Sequence, residues 1–92
     1  MYAKKVTVIN KSGVHARPAS DITLKAKEFE SNIYIQIHRD KETAPINAKS
    51  VMKILVSSIA QGEMMEIIAE GADEYEAVES LSTLIASGFG ED

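Results

Sequence analysis

The chain has no cysteine and no tryptophan, only two prolines among its 92 residues, and no Lys or Arg after Lys53. Without thiols there is no disulfide framework, no thiolate nucleophile and no cysteine-built zinc site. A reduced, cytoplasmic setting is compatible with that. No uncharged apolar run approaches the roughly 20 residues a membrane span needs. The opening Met1-Tyr2-Ala3-Lys4-Lys5-Val6 lacks the apolar stretch of a secretory signal. The shortage of basic residues is local: residues 1–27 carry a net +5, residues 63–92 hold nine acids with no Lys or Arg, and the whole chain is at −4. Such asymmetry can orient an oppositely charged partner, although plain solvation of exposed faces accounts for it equally well. An acidic chain with no basic run interleaved with aromatics is a poor candidate for nucleic-acid binding. What remains is an ordinary globular composition, 45% hydrophobic and 26% charged, of a size that suits a single domain over residues 1–92.

Local patterning divides the chain into seven elements. Residues 3–9 alternate through Lys-Val-Thr-Val and read as a half-buried strand. After the turn residues Asn10-Lys11-Ser12-Gly13, the positions Ala19, Ile22, Ala26 and Phe29 fall on one face of a 3.6-residue period. Pro18 suits the first helical turn, where a missing N–H costs nothing, so this helix starts at about Ala16–Arg17. Asn32 to His38 alternates again, with Ile33, Ile35 and Ile37 on one side. Pro45 to Ala48 can pair back as a short third strand. Ser50 reads as the N-cap of a helix over Val51–Ile59. Glu63–Glu70 forms a fourth strand. Asp73 and Glu76 have capping-box spacing before a last helix whose stripe is Ala77, Val78, Leu81, Leu84 and Ile85, ended by Gly88. The economical packing of this β-α-β-β-α-β-α order is an α/β (α+β) open-faced sandwich: four antiparallel strands covered on one face by three helices.

The chemistry concentrates in Gly13-Val14-His15-Ala16-Arg17-Pro18-Ala19. A histidine at a helix entrance stands where unpaired backbone N–H groups and the positive helix end receive anions, phosphate above all. Arg17 adds a fixed charge that can grip phosphoryl oxygens. An imidazole nitrogen with a lone pair can attack phosphorus. A cap or surface histidine is the plainer alternative. His38 reads as a strand-end surface residue, and two histidines without placed carboxylates make no convincing metal site.

The same segment resembles the active-site segment of the HPr family, the histidine-containing phosphocarriers of the bacterial phosphoenolpyruvate-dependent sugar phosphotransferase system. Asn47-Ala48-Lys49-Ser50-Val51-Met52 resembles that family's regulatory segment, and Gln61-Gly62 and Gly71-Ala72-Asp73-Glu74 fit as well. The resemblance implies that Enzyme I passes a phosphoryl group to His15 at Nδ1, that Arg17 steadies it, and that a IIA-type domain of a sugar permease receives it. It also implies a cytoplasmic, monomeric carrier that needs no cofactor, binds no metal, and is a substrate of its partners rather than an enzyme. Ser50 is, by the same resemblance, a possible phosphoserine made by an HPr kinase/phosphorylase and able to recruit a transcriptional regulator. For partner docking, Arg17, Ser20, Leu24 and Lys27 recur on one helical stripe. Leu24, Val51 and Met52 can form an apolar patch rimmed by Lys25, Lys27, Lys49 and Lys53.

Three departures bear on the acceptor. Arg39–Ile46 is longer than is usual in the family, which predicts a longer turn between the second and third strands. Ser57 and Ser58 stand where a Leu-Gly pair is common. The ending Ala86-Ser87-Gly88-Phe89-Gly90-Glu91-Asp92 is similar to the nitrogen-branch paralogue, NPr. The alternatives to sugar-branch carriage are therefore a nitrogen-branch regulatory carrier and a binding module acting through phospho-Ser50 alone.

Overall fold

The computed structural model describes residues 1–39 and 43–90. Four strands, β1 (Tyr2–Thr7), β2 (Asn32–His38), β3 (Ile46–Asn47) and β4 (Met64–Glu70), form one antiparallel sheet in the order β1-β4-β2-β3. The helices are α1 (Ala16–Ala26), α2 (Val51–Val56) and α3 (Glu74–Ala86), and a left-handed turn with Phe89 at φ 59° covers Gly88–Gly90. Register follows from strand chemistry. Ile33, Ile35 and Ile37 of β2 lie opposite Ala69, Ile67 and Met65 of β4, all buried, because alternation puts every second side chain on one face. The helices bring Ala19, Ile22, Ala26, Ile54, Ala77, Val78, Leu81 and Ile85 into the same core. The opposite sheet face stays open and exposes Tyr34 and Met64. Architecture and element order are therefore those read from the sequence.

Several boundaries differ, each for a local reason. β1 stops at Thr7: Val8 still donates to the Glu63 carbonyl, but Ile9 turns outward and is exposed. α1 ends at Ala26 rather than reaching Phe29, because Glu28 and Phe29 bond back three residues to Lys25 and Ala26 and tighten the last turn. α2 ends at Val56, since Ser57 caps it and Ser58 has a left-handed φ of 50°. Ile59 then folds back into the core. β3 is only Ile46–Asn47, with Pro45 outside it. β4 starts one residue later than read, at Met64, and α3 ends at Ala86, before Gly88. The expected lengthening of the β2–β3 turn falls on residues 40–42, and Glu91 and Asp92 end the chain; all five lie outside the described residues.

The capping box is a correction. Asp73 stands at the N-cap of α3 but makes no capping bond. Its carboxylate instead reaches the turn before β2, accepting from Glu30 N at 2.9 Å, Ser31 N at 3.0 Å and Ser31 Oγ at 2.5 Å. Ser31 is buried, so its N–H and hydroxyl need those acceptors more than the helix end does. The Ser31 hydroxyl, then the Glu30 amide, hold the Asp73 carboxyl below its ordinary 3.8. A depressed folded-state value stabilises the fold above the unfolded value, and that contribution disappears as pH falls below it. The difference in unfolding temperature between wild type and Asp73→Ala should therefore be constant above about pH 5 and shrink as the pH drops below 3.8. Thermal melts across that range check it; a difference that stays constant to the lowest pH would contradict it.

Candidate functional site

His15 occupies the N-cap of α1 in an extended conformation, φ −82° and ψ −164°, and is exposed. On one side Val14 is buried and donates its N–H to the Ile59 carbonyl at 2.9 Å. On the other, the His15 carbonyl accepts from Ala19 N at 2.9 Å and closes the first helical turn. Pro18, buried in that turn, has no N–H to leave unpaired. The N–H groups of Ala16 and Arg17 have no carbonyl available within the helix. Arg17 is exposed, and no acid occupies the first turn. An anion at this helix entrance would face backbone donors and the positive helix end, with Arg17 two residues on from His15.

Gly13 makes the approach possible. Its φ is +65°, and a Cβ there would lie 2.5 Å from the Ile59 carbonyl oxygen. Ile59 is itself held by a clamp. Arg39 Nη2 donates to the carbonyls of Ser57 at 2.8 Å and Ser58 at 3.2 Å, while its guanidinium pairs with Glu63. Glu63 accepts in turn from Ala60 N at 2.9 Å. The Arg39 guanidinium beside it draws the Glu63 carboxyl below its ordinary range, and Arg39 is held above its own. Neither Arg39 nor Glu63 carried any functional weight in the sequence, where one read as turn and the other as strand edge.

Ser50 caps α2, its hydroxyl accepting from Lys53 N at 3.4 Å, a contact of a kind worth roughly 1 kcal/mol. The segment before it is tied to α1 by Thr23, whose buried hydroxyl donates to the Ala48 carbonyl at 3.1 Å. α1 and α2 pack side by side, and the residues expected to dock a partner differ in exposure. Leu24 and Met52 are 65% and 66% exposed; Ser20, Lys27 and Lys53 are exposed as well. Val51 is half-buried against the core, so it contributes little surface. Of the other two rim lysines, Lys25 pairs with Glu28 at 3.5 Å and Lys49 Nζ donates to the Phe29 carbonyl at 2.8 Å. Val56, 78% exposed and four residues beyond Met52 on the same helix face, was missed. The i, i+4 spacing of Met52 and Val56 could have shown it. Both residues border a groove of about 350 Å³ lined also by Ala44, Pro45, Ile46, Lys53 and Ser57. His38 lies at the far end of β2 with Nε2 3.1 Å from Glu66 Oε1. Among the described residues no group of three His, Cys, Asp or Glu side chains could hold a metal ion, and no helix is long and apolar enough to cross a membrane.

Comparison with known proteins agrees with this geometry. The family model described as the PTS HPr component phosphorylation site matches residues 2–87. The phosphocarrier protein HPr of Treponema pallidum is 36% identical over 92 residues, all of both chains. A multiphosphoryl transfer protein of Haemophilus influenzae is 40% identical over 85 residues, 92% of this chain but only 17% of that longer protein. Among solved structures, HPr-C-His from Thermoanaerobacter tengcongensis superposes with a TM-score of 0.89 at 39% identity, covering 100% of this chain and 99% of that one. An open-faced sandwich whose first helix opens on an exposed histidine, matched end to end by phosphocarriers and their structures, has one family reading: the chain belongs to the HPr phosphocarriers of the phosphotransferase system, which carry phosphoryl groups and are not themselves catalysts.

Proposed function

We propose that His15 is the phosphoryl acceptor, that it receives the group from phospho-Enzyme I, and that it passes it to IIA-type domains serving sugar uptake. The observation that carries this reading is the exposed imidazole at the N-cap of α1 with Arg17 two residues on. In the first transfer the lone pair of His15 Nδ1 attacks phosphorus while the bond from phosphorus to the donor breaks, its electron pair returning to the donor. In the second the same exchange runs from His15 to the acceptor. Arg17 and the first-turn amides stabilise the charge on the transferring oxygens. The chain acts as a single cytoplasmic domain and a monomer, without a cofactor.

Docking on this reading uses Leu24 and Met52 with Ser20, Lys27 and Lys53, and to a lesser degree Val51; cationic side chains there favour acidic partner surfaces. Ser50 is the proposed regulatory site. A phosphoryl group on it would add negative charge to the same surface and oppose such partners, and could recruit a transcriptional regulator. The reading is tested by intact-mass measurement after incubation with Enzyme I and phosphoenolpyruvate. One phosphoryl group, lost in acid and retained in base, is expected, followed by its discharge onto a IIA domain. Discharge onto a nitrogen-branch acceptor alone would move the chain to the regulatory branch. Absence of uptake from a working Enzyme I, with uptake at Ser50 under ATP and HPr kinase, would leave the binding-module reading.

A further inference from the structure

The peptide unit joining Gly13 to Val14 is gripped from both sides. Its N–H, on Val14, donates to the Ile59 carbonyl at 2.9 Å. Its carbonyl, on Gly13, accepts from Asn10 Nδ2 at 2.6 Å. Asn10 is a polar residue only 4% exposed, and its backbone carbonyl accepts from Gly13 N at 3.1 Å. The residue is in turn enclosed. Gln61 Nε2 donates to the Ile9 carbonyl at 3.0 Å. The turn after α3 lays Gly88 against Ile9 and Asn10, a Cβ there reaching Ile9 at 3.4 Å and Asn10 Cβ at 3.9 Å, with Phe89 anchored in the core.

A peptide plane held at both its donor and its acceptor cannot turn over without breaking those bonds, and the chain direction into His15 follows from that plane. We propose that Asn10 is a positioning residue for phosphoryl transfer: by fixing the Gly13–Val14 peptide it aims the His15 imidazole for in-line attack. This rests on the reading of His15 as the acceptor. A buried amide suits the task because water cannot compete for the Gly13 carbonyl. The side chain is also too enclosed to touch a partner, so its influence falls on the aim of the nucleophile and not on docking.

The test measures steady-state phosphorylation by Enzyme I for wild type, Asn10→Ala, Asn10→Ser, and Ile67→Val as a core control away from the loop. Both Asn10 variants should lower kcat by about 10- to 100-fold with KM changed less than about twofold, as expected when only reacting geometry is lost; Ile67→Val should leave both constants alone. Unchanged kcat in a folded Asn10 variant overturns the proposal, as does a loss confined to KM. Amide hydrogen exchange of Val14 is followed in the same proteins without phosphate. It should accelerate at least about tenfold beyond the global change in the Asn10 variants, and equal acceleration in Ile67→Val also overturns the proposal. Should wild type take up no phosphate, the acceptor reading falls, while the exchange data still decide whether Asn10 holds the loop.

Discussion

His15→Ala is expected to take up no acid-labile phosphoryl group from phospho-Enzyme I. The nucleophilic nitrogen is gone, and the other histidine, His38, lies in the strand β2 paired to Glu66, outside the helix entrance that would stabilise the transferring group. Removing the attacking atom abolishes the covalent intermediate rather than slowing it, in contrast to Arg17→Ala, which removes one of several stabilising charges. Stability should change little, by about 0.5 kcal/mol or less, because the side chain is exposed. Mass spectrometry beside a thermal melt separates the two effects. A phosphoryl group remaining on His15→Ala, lost in acid, would place the acceptor elsewhere.

Gly13→Ala is expected to produce the largest loss of stability, about 2–4 kcal/mol. The added Cβ meets two penalties at once. The backbone sits at φ +65°, and the methyl would lie 2.5 Å from the Ile59 carbonyl oxygen and 2.9 Å from Ala60 Cα. Those are backbone atoms, in a segment whose Ser57 and Ser58 carbonyls and Ala60 N–H are held by Arg39 and Glu63, so they cannot swing away as a side chain would. Relief has to come from breaking the Val14-to-Ile59 bond and shifting His15. For a domain of this size the melting temperature should fall by about 10–25 °C, with phosphoryl transfer falling too. Gly62→Ala isolates the first penalty: its φ is +89° with nothing within 4 Å of the new methyl, and about 1–2 kcal/mol is expected. Equal melts for the two variants would show that the collision with Ile59 is relaxed at no cost.

The core was legible because its signal is periodic. Ile33, Ile35 and Ile37 at period two, and Ala77, Val78, Leu81 and Ile85 at helical spacing, can satisfy only one face each, and the buried set follows. The two helix entrances at which His15, Arg17 and Ser50 stand were legible through local chemistry, being visible from Pro18 and from the serine before an apolar run. The supports of the site were not. Asn10, Arg39 and Glu63 act through partners 3, 18 to 24 and 3 to 24 residues away in sequence, and no periodicity announces such pairings. Asp73 shows the converse. Its spacing to Glu76 fitted a capping box, yet a carboxylate within reach of two N–H groups and a hydroxyl across the fold serves those instead, because buried donors compete for the same oxygen.

The strand order has a consequence for how the chain is made. Among the described residues β1 pairs only with β4, and β4 is also the long partner of β2. Until residue 64 has left the ribosome, the only ladder among the described residues that the nascent chain can build is the two-residue contact between β2 and β3. The first strand synthesised therefore waits for the last. Non-local pairing of this kind slows folding relative to hairpins closed in passing. Assembly of the sheet, and with it the Glu63 half of the clamp under His15, is a late event in synthesis.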